Sequence, residues 1–385
     1  MSDISQLVSI SSRIGRDIGL VQGGGGNTSI KSRDALMVIK ASGWPLAEMN
    51  EKEGYVTLQL ERVRSLFSTP SVPRLDPTQQ EALLRQELAK ARQGNEGIQP
   101  SLEVGLHALL GRVVIHTHPL FINVITCMES GPSWMNKVWP RLQHPPLWVP
   151  YANPGFPLAS SLKQALETYR KQHASLPHQI FLENHGFCAA GGDAEEVLEW
   201  TLRTAEEARN ALGEAHEKII PPRIERISGP FHHASLAKIA ERYRDVVGQD
   251  PCIGQGHHPL LHASNGHRPP MTEGILYPDA AVYCGPKVFW IDRASFTTPS
   301  SLESRLKAFL GEAGFFPRVI GVEGAQTWFV GSSFKIVEAV AEVYTIHLQA
   351  RLLIERHGRP KFLQESDVRY LFEWEAERYR QEVLK

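Results

Sequence analysis

One carboxylate and three imidazoles are spaced along this chain so that a single metal ion could gather them. Glu103 ends the stretch Pro100-Ser101-Leu102-Glu103, His116 and His118 lie in Val114-Ile115-His116-Thr117-His118-Pro119, and His185 lies in Leu182-Glu183-Asn184-His185-Gly186. The apolar, β-branched run Arg112-Val113-Val114-Ile115 predicts a strand, on which side chains at i and i+2 share a face. His116 and His118 then project together about 6–7 Å apart at the backbone, within reach of one cation. His185 follows a second apolar run, Gln179-Ile180-Phe181-Leu182, at a strand-to-turn junction marked by Gly186. Three histidines with a displaceable fourth ligand form the pattern of an open, catalytic zinc site, whereas structural sites are closed, often with thiolates. Glu103 is the candidate general acid/base, since a carboxylate beside a dication stays ionised and can take a carbon-bound proton once substrate displaces it. Taken singly, a His-x-His pair also occurs on strands without metal, His185 could cap a turn, and an isolated helical Glu is usually a surface residue.

Other groups are weaker candidates. Gly23 to Gly26 fit neither G-x-x-x-x-G-K-S/T nor G-x-G-x-x-G, but a glycine run lets backbone amides approach an anion, or simply turns the chain. Asn27 and Ser29 add side-chain donors, and Ser42-Gly43 offers a hydroxyl and an amide. Lys40 is either a point charge for an anion or a solvated strand-end lysine. Tyr151 is a proton donor, a substrate contact or a core residue. His232-His233, His257-His258 and His262 have no chelating spacing and read as loop histidines, while Asp279 and Glu323 sit where second-domain residues could touch substrate.

The order of these motifs resembles the class II aldolase/adducin family over roughly residues 8 to 215. The resemblance is carried by Gly26-Asn27-Thr28-Ser29, Ala41-Ser42-Gly43, Ser101-Leu102-Glu103, His116-Thr117-His118, Pro150-Tyr151-Ala152 with Gly155, and His185-Gly186. It implies a three-layer α/β/α domain, a Zn2+ or other divalent transition metal on His116, His118 and His185, and Glu103 as proton shuttle. It places Asn27, Ser42, Gly43 and Ser101 where the family binds a substrate phosphate, although Leu102 departs from the second serine often found there, leaving a sugar acid open as well. The implied activity is aldol cleavage or formation next to a hydroxyketone through a metal-stabilised enediolate. Epimerases, decarboxylases and a dehydratase share that logic, and a non-catalytic adducin-like interaction module is a different class of answer. A homo-oligomer, by resemblance a tetramer, is implied too.

The elements that must position these groups follow from periodicity and punctuation. The pattern predicts helices over 3–18, from Asp76 to about Arg92, from near Ser101, over 160–173 and over 193–216, with strands at 27–31 and 35–40. Helices flanking strands on both sides give an α/β layered core. The adjacent Pro221-Pro222 divides a catalytic domain, 1–222, from a smaller α/β domain, 223–385. The latter is expected to hold a helix near 234–246, a Gly/His/Pro-rich loop at 251–274, strands at 280–284, 287–291, 318–322 and 326–331, and helices near 300–313 and from about Ser333 to Arg356, before a charged final segment. Tyr277-Pro278-Asp279 with Ala281-Val282-Tyr283-Cys284, and Pro317-Arg318-Val319-Ile320-Gly321-Val322-Glu323-Gly324, resemble the tail of longer aldolase-like domains fused to a dehydrogenase in rhamnulose-phosphate aldolase proteins. No Rossmann fingerprint follows residue 331.

Composition bounds the rest. A net charge of -1 over 385 residues, with 22% charged side chains, sets up no global field for nucleic acid or an anionic membrane. Cys127, Cys188, Cys252 and Cys284 lack C-x-x-C spacing, so reduced thiols in a cytoplasmic enzyme are expected. The N-terminus lacks the basic and apolar regions of a signal peptide, and no apolar run is long enough for a bilayer. A small-molecule substrate is the expected partner.

Overall fold

Eight strands build the sheet that carries the candidate residues: β1 (Asn27–Lys31), β2 (Leu36–Lys40), β3 (Tyr55–Gln59), β4 (Arg92–Gln93), β5 (Val113–Thr117), β6 (Leu147–Val149), β7 (Gln179–Leu182) and β8 (Gly186–Gly191). Their spatial order is β4-β3-β2-β1-β5-β8-β7-β6, antiparallel except for the β6–β7 pair. The computed structural model describes residues 1–69, 72, 75–94, 97–140, 144–173, 175–216, 218–227, 234–262 and 274–373. The chain divides into two compact units, Met1–Glu217 with His357–Lys361, and Lys218–Arg356 with Phe362–Lys385.

In the first unit β5 lies mid-sheet between β1 and β8, and all five of its residues are buried, as expected for a strand covered on both faces. Helices Asp3–Gly15, Leu120–Thr126 and Ala194–Ala211 pack on one side of the sheet. On the other face, Leu106 and the helix residues Leu158, Leu162 and Leu166 pack with Val114, Ile180, Leu182 and Cys188. Each such buried aliphatic side chain contributes roughly 1.5–3 kcal/mol. The result is a three-layer α/β/α domain. Local chemistry sets the helix starts: Ser2 accepts from the Ser5 N–H, Asp76 and Gln79 form a reciprocal capping box, and Asp193 accepts from the Glu195 and Glu196 N–H groups. The helix expected from near Ser101 begins only at Val104. Glu103 is its N-cap, because the Ser101 hydroxyl accepts the Glu103 N–H and holds that residue outside the helix.

The second unit contains a five-stranded sheet: β9 (Arg223–Ile227), β10 (Cys252–His257), β11 (Phe289–Ile291), β12 (Val319–Val322) and β13 (Thr327–Gly331), in the order β11-β12-β13-β10-β9. Two expectations fail here. Residues 280–284 are helical, within Pro278–Cys284: proline opens the helix, Gly285 at φ 83° follows it, and every residue is buried, so no alternation distinguishes it from a strand. The supposed loop at 251–274 contains β10, whose glycines conceal it. A Cβ on Gly254 would stand 2.5 Å from Ile224 Cγ2 and 2.7 Å from Val337 Cγ1, so glycine there serves packing and not a turn. His257 and His258 are described, and His257 Nε2 lies 3.1 Å from Glu225; His232, His233 and the final segment from 374 lie outside the described residues. Among the described residues no helix is long and apolar enough to cross a membrane.

Candidate metal centre

The antiparallel register sets His116 on β5 opposite Asn27 on β1 and opposite Cys188 on β8. His116 shares a face with Val114, against which Leu106 packs, and the helix carrying Leu106 starts immediately after Glu103. His118, just past β5, is fixed by its N–H on the Leu20 carbonyl. His185 ends the β7–β8 turn. Thus the end of β5, the β7–β8 turn and one helix start deliver four side chains to one place, all buried: His116 is fully inaccessible, His118 4%, His185 3% and Glu103 9% exposed.

The nitrogen atoms of His116, His118 and His185 lie within 4.8 Å of one another, and the His116 and His118 Nε2 atoms are 3.0 Å apart. Two ligands bound tetrahedrally at about 2.0–2.1 Å stand roughly 3.3 Å apart, so the spacing suits a shared cation. Glu103 closes the group, with Oε1 2.9 Å from His185 Nε2 and Oε2 3.3 Å from His116 Nε2. His116 Nδ1 lies 3.0 Å from the Phe187 carbonyl, which accepts its proton and leaves Nε2 to face the cluster, the arrangement that orients metal-binding imidazoles. Three imidazoles and a carboxylate fit a divalent transition cation, and they would be the residues that hold it.

Charge follows the same logic. Burial pushes Glu103 up, but the neighbouring His116 and His185 outweigh it and hold the carboxyl well below its usual range. Burial depresses His116, yet Glu103 and then Cys188 carry it well above the ordinary imidazole value, while burial prevails at His185 and lowers it. A buried anion therefore sits among the imidazoles and holds a proton on His116, which a cation bound there would displace. One helical turn on, His107 Nδ1 is 2.8 Å from Ser29 Oγ, and burial reinforced by His116 keeps this imidazole neutral.

The remaining candidates fall in three places. Asn27, read by resemblance as an anion donor, gives its amide to Glu103 Oε2 at 2.8 Å, and its buried Oδ1 has no hydrogen-bond partner among the described residues. Lys40, Ser42, Gly43 and Ser101 come together because residues 40–42 pair with 99–101: the Ser42 N–H reaches the Gln99 carbonyl and the Ser101 N–H the Lys40 carbonyl. The buried Lys40 Nζ spans the Gly24 and Ala41 carbonyls at 3.3 Å, tying the glycine run to this corner. Tyr151 donates its hydroxyl to Asn153 Oδ1 and its N–H to Glu183 Oε2. Glu183, Asn184 and the distant Lys361 are site supports that sequence reasoning passed over. Asn184, at φ 50°, carried a signal, since Asn tolerates the left-handed region better than most residues; Lys361 carried none.

With its three-layer α/β/α domain and histidine cluster, the chain has the make-up of a class II aldolase-like protein. A profile of the Class II Aldolase and Adducin N-terminal domain matches residues 5–212, and the chain belongs to that family. It is 24% identical over 414 positions to a Bacillus subtilis protein named "Uncharacterized oxidoreductase YuxG", covering 98% of this chain and 58% of that protein. Among solved structures it is similar to the N-terminal class II aldolase domain of a conserved Thermoplasma acidophilum protein (26% identity, TM-score 0.45, 54% of this chain and 93% of the other). It is also similar to a putative aldolase/epimerase/decarboxylase from Klebsiella pneumoniae (18%, 0.38, 56% and 91%) and to the l-fuculose-1-phosphate aldolase of Thermus thermophilus (15%, 0.34, 54% and 94%).

Proposed function

We propose that the protein is a zinc-dependent lyase of the aldolase type, acting on a small polyhydroxy ketone that carries a phosphate or carboxylate, and that it assembles as a homo-oligomer. The observation that carries this reading is the placement of Glu103, a buried, ionised carboxylate touching two of the three clustered imidazoles. A divalent cation held by His116, His118 and His185 would supply Lewis acidity toward a ketone oxygen. Glu103 takes the proton from the carbon beside that ketone and returns it, as a positioned general acid/base does. Asn27 keeps the carboxylate aimed through its amide, and burial of all four groups excludes bulk water from the proton in transit. Lys40, Ser42, Gly43 and Ser101 form the corner that receives the substrate's anionic end.

The test is proton exchange, which needs no aldehyde partner. Zinc-loaded protein incubated with dihydroxyacetone phosphate in heavy water should lose the C3 proton signal in NMR, and a chelator should stop the loss. Glu103→Gln should keep the metal and lose the exchange. Undiminished exchange in that variant removes Glu103 from the mechanism, and absence of exchange in a zinc-holding wild type removes the phosphoketone.

A further inference from the structure

Five residues far along the chain, His357–Lys361, belong to the first unit, beyond the span 5–212 that the family profile covers. They lie along the end of the helix Leu120–Thr126: the Lys361 N–H donates to the Cys127 carbonyl at 2.7 Å, the Glu129 N–H to the Arg359 carbonyl at 3.0 Å, and Met128 bridges to Pro360. From there Lys361 reaches the turn before His185 twice. Its carbonyl accepts the Asn184 side-chain amide at 2.6 Å, and its Nζ stands 2.8 Å from Glu183 Oε1.

That turn needs support. Asn184 is one of two non-glycine residues among those described with positive φ, a conformation that costs on the order of 1 kcal/mol outside glycine. The Glu183 and Asn184 N–H groups donate to the Val149 and Thr126 carbonyls. The side chains of both are held by Lys361, and Glu183 passes the constraint to the Tyr151 N–H at 3.0 Å. Rotating Asn184 would swing His185, the next residue, away from Glu103 and the other imidazoles.

We infer that His357–Lys361 is a brace for the histidine cluster, with Lys361 a positioning residue that sets metal affinity through the Glu183–Asn184 turn. The inference rests on metal binding at His116, His118 and His185. It is tested on the full chain by zinc competition against a chromogenic chelator, with melting of the zinc-free protein alongside. Lys361→Met and Glu183→Gln should each weaken zinc about tenfold, the scale typical of groups that orient ligands. The double variant should be no weaker than either single, because both remove one interaction. Lys361→Arg should restore binding, and Lys90→Met, which breaks the exposed pair with Glu87, should leave it unchanged. Wild-type zinc affinity in both Lys361→Met and Glu183→Gln overturns the brace, as does a lowered zinc-free melting temperature with unaltered affinity. Should Lys361→Met fail to fold, Glu183→Gln and Lys361→Arg decide alone. A wild-type chain that takes up no zinc overturns the metal reading itself.

Discussion

Replacing Gly186 by alanine probes how closely the cluster is packed. A Cβ at this position would lie 2.5 Å from the Thr117 carbonyl oxygen, 2.7 Å from His118 Cδ2 and 3.3 Å from His116 Cε1. Ordinary contact begins near 3.4 Å, so roughly 0.9 Å must open between β8 and β5, in an interior with little slack. The backbone resists, because Thr117 is paired with Phe187 and Gly186 itself with Leu182. Gly186 lacks a positive φ, so the penalty is one of space alone. Overpacking of this kind costs about 1–3 kcal/mol. Ligand distances tolerate only about 0.2 Å, so turning the His118 ring to make room should weaken zinc at least about tenfold, the lower end for disturbed ligand orientation. The assay is the zinc dissociation constant by chelator competition, with thermal melting, where each kcal/mol moves the midpoint by about 2–4 °C. Gly192→Ala, where a Cβ meets nothing within 4 Å, serves as the control and should match wild type. A Gly186→Ala protein with zinc affinity within about twofold of wild type and a midpoint within about 1 °C would refute the reasoning.

His116→Ala should remove stoichiometric zinc, measured by elemental analysis after dialysis; full occupancy would sink the ligand assignment. Lys31 offers a pH test away from the cluster. Burial, then Arg64, lowers its amine from 10.5 to about 7. Between those values the unfolded chain carries a proton that the folded one lacks, so stability should rise with pH across that window, by at most about 4–5 kcal/mol. Lys31→Met should flatten that slope and stabilise the protein at pH 7 in denaturant titrations, whereas an identical slope in the variant would contradict the assignment.

The centre was legible because its signals are local. The β-branched run before His116 dictates a strand, period two aligns His118 with it, and Ser-x-Glu precedes a helix that must pack over that strand. The Asn27–Glu103 hydrogen bond was not legible, since it depends on the β1–β5 register that sets Asn27 opposite His116. Gly186 looked like turn punctuation, yet Asn184 makes the turn and Gly186 makes room for two imidazoles. In the second unit, β10 was hidden by glycines that its neighbours require, and the helix at 278–284 by being buried on every side. Local pattern carries period and punctuation. It does not carry which neighbour crowds a backbone, nor a partner such as Lys361 supplied from another part of the chain.

The discontinuity of the first unit has a consequence in time. During synthesis the segment through Glu217 leaves the ribosome well before His357–Lys361 exists, by about 140 residues, or roughly 7–30 s at ordinary elongation rates. For that interval the sheet and the histidines can assemble while the Glu183–Asn184 turn lacks Lys361. The nascent domain would therefore fold first and have its Glu183–Asn184 turn braced late, when His357–Lys361 arrives.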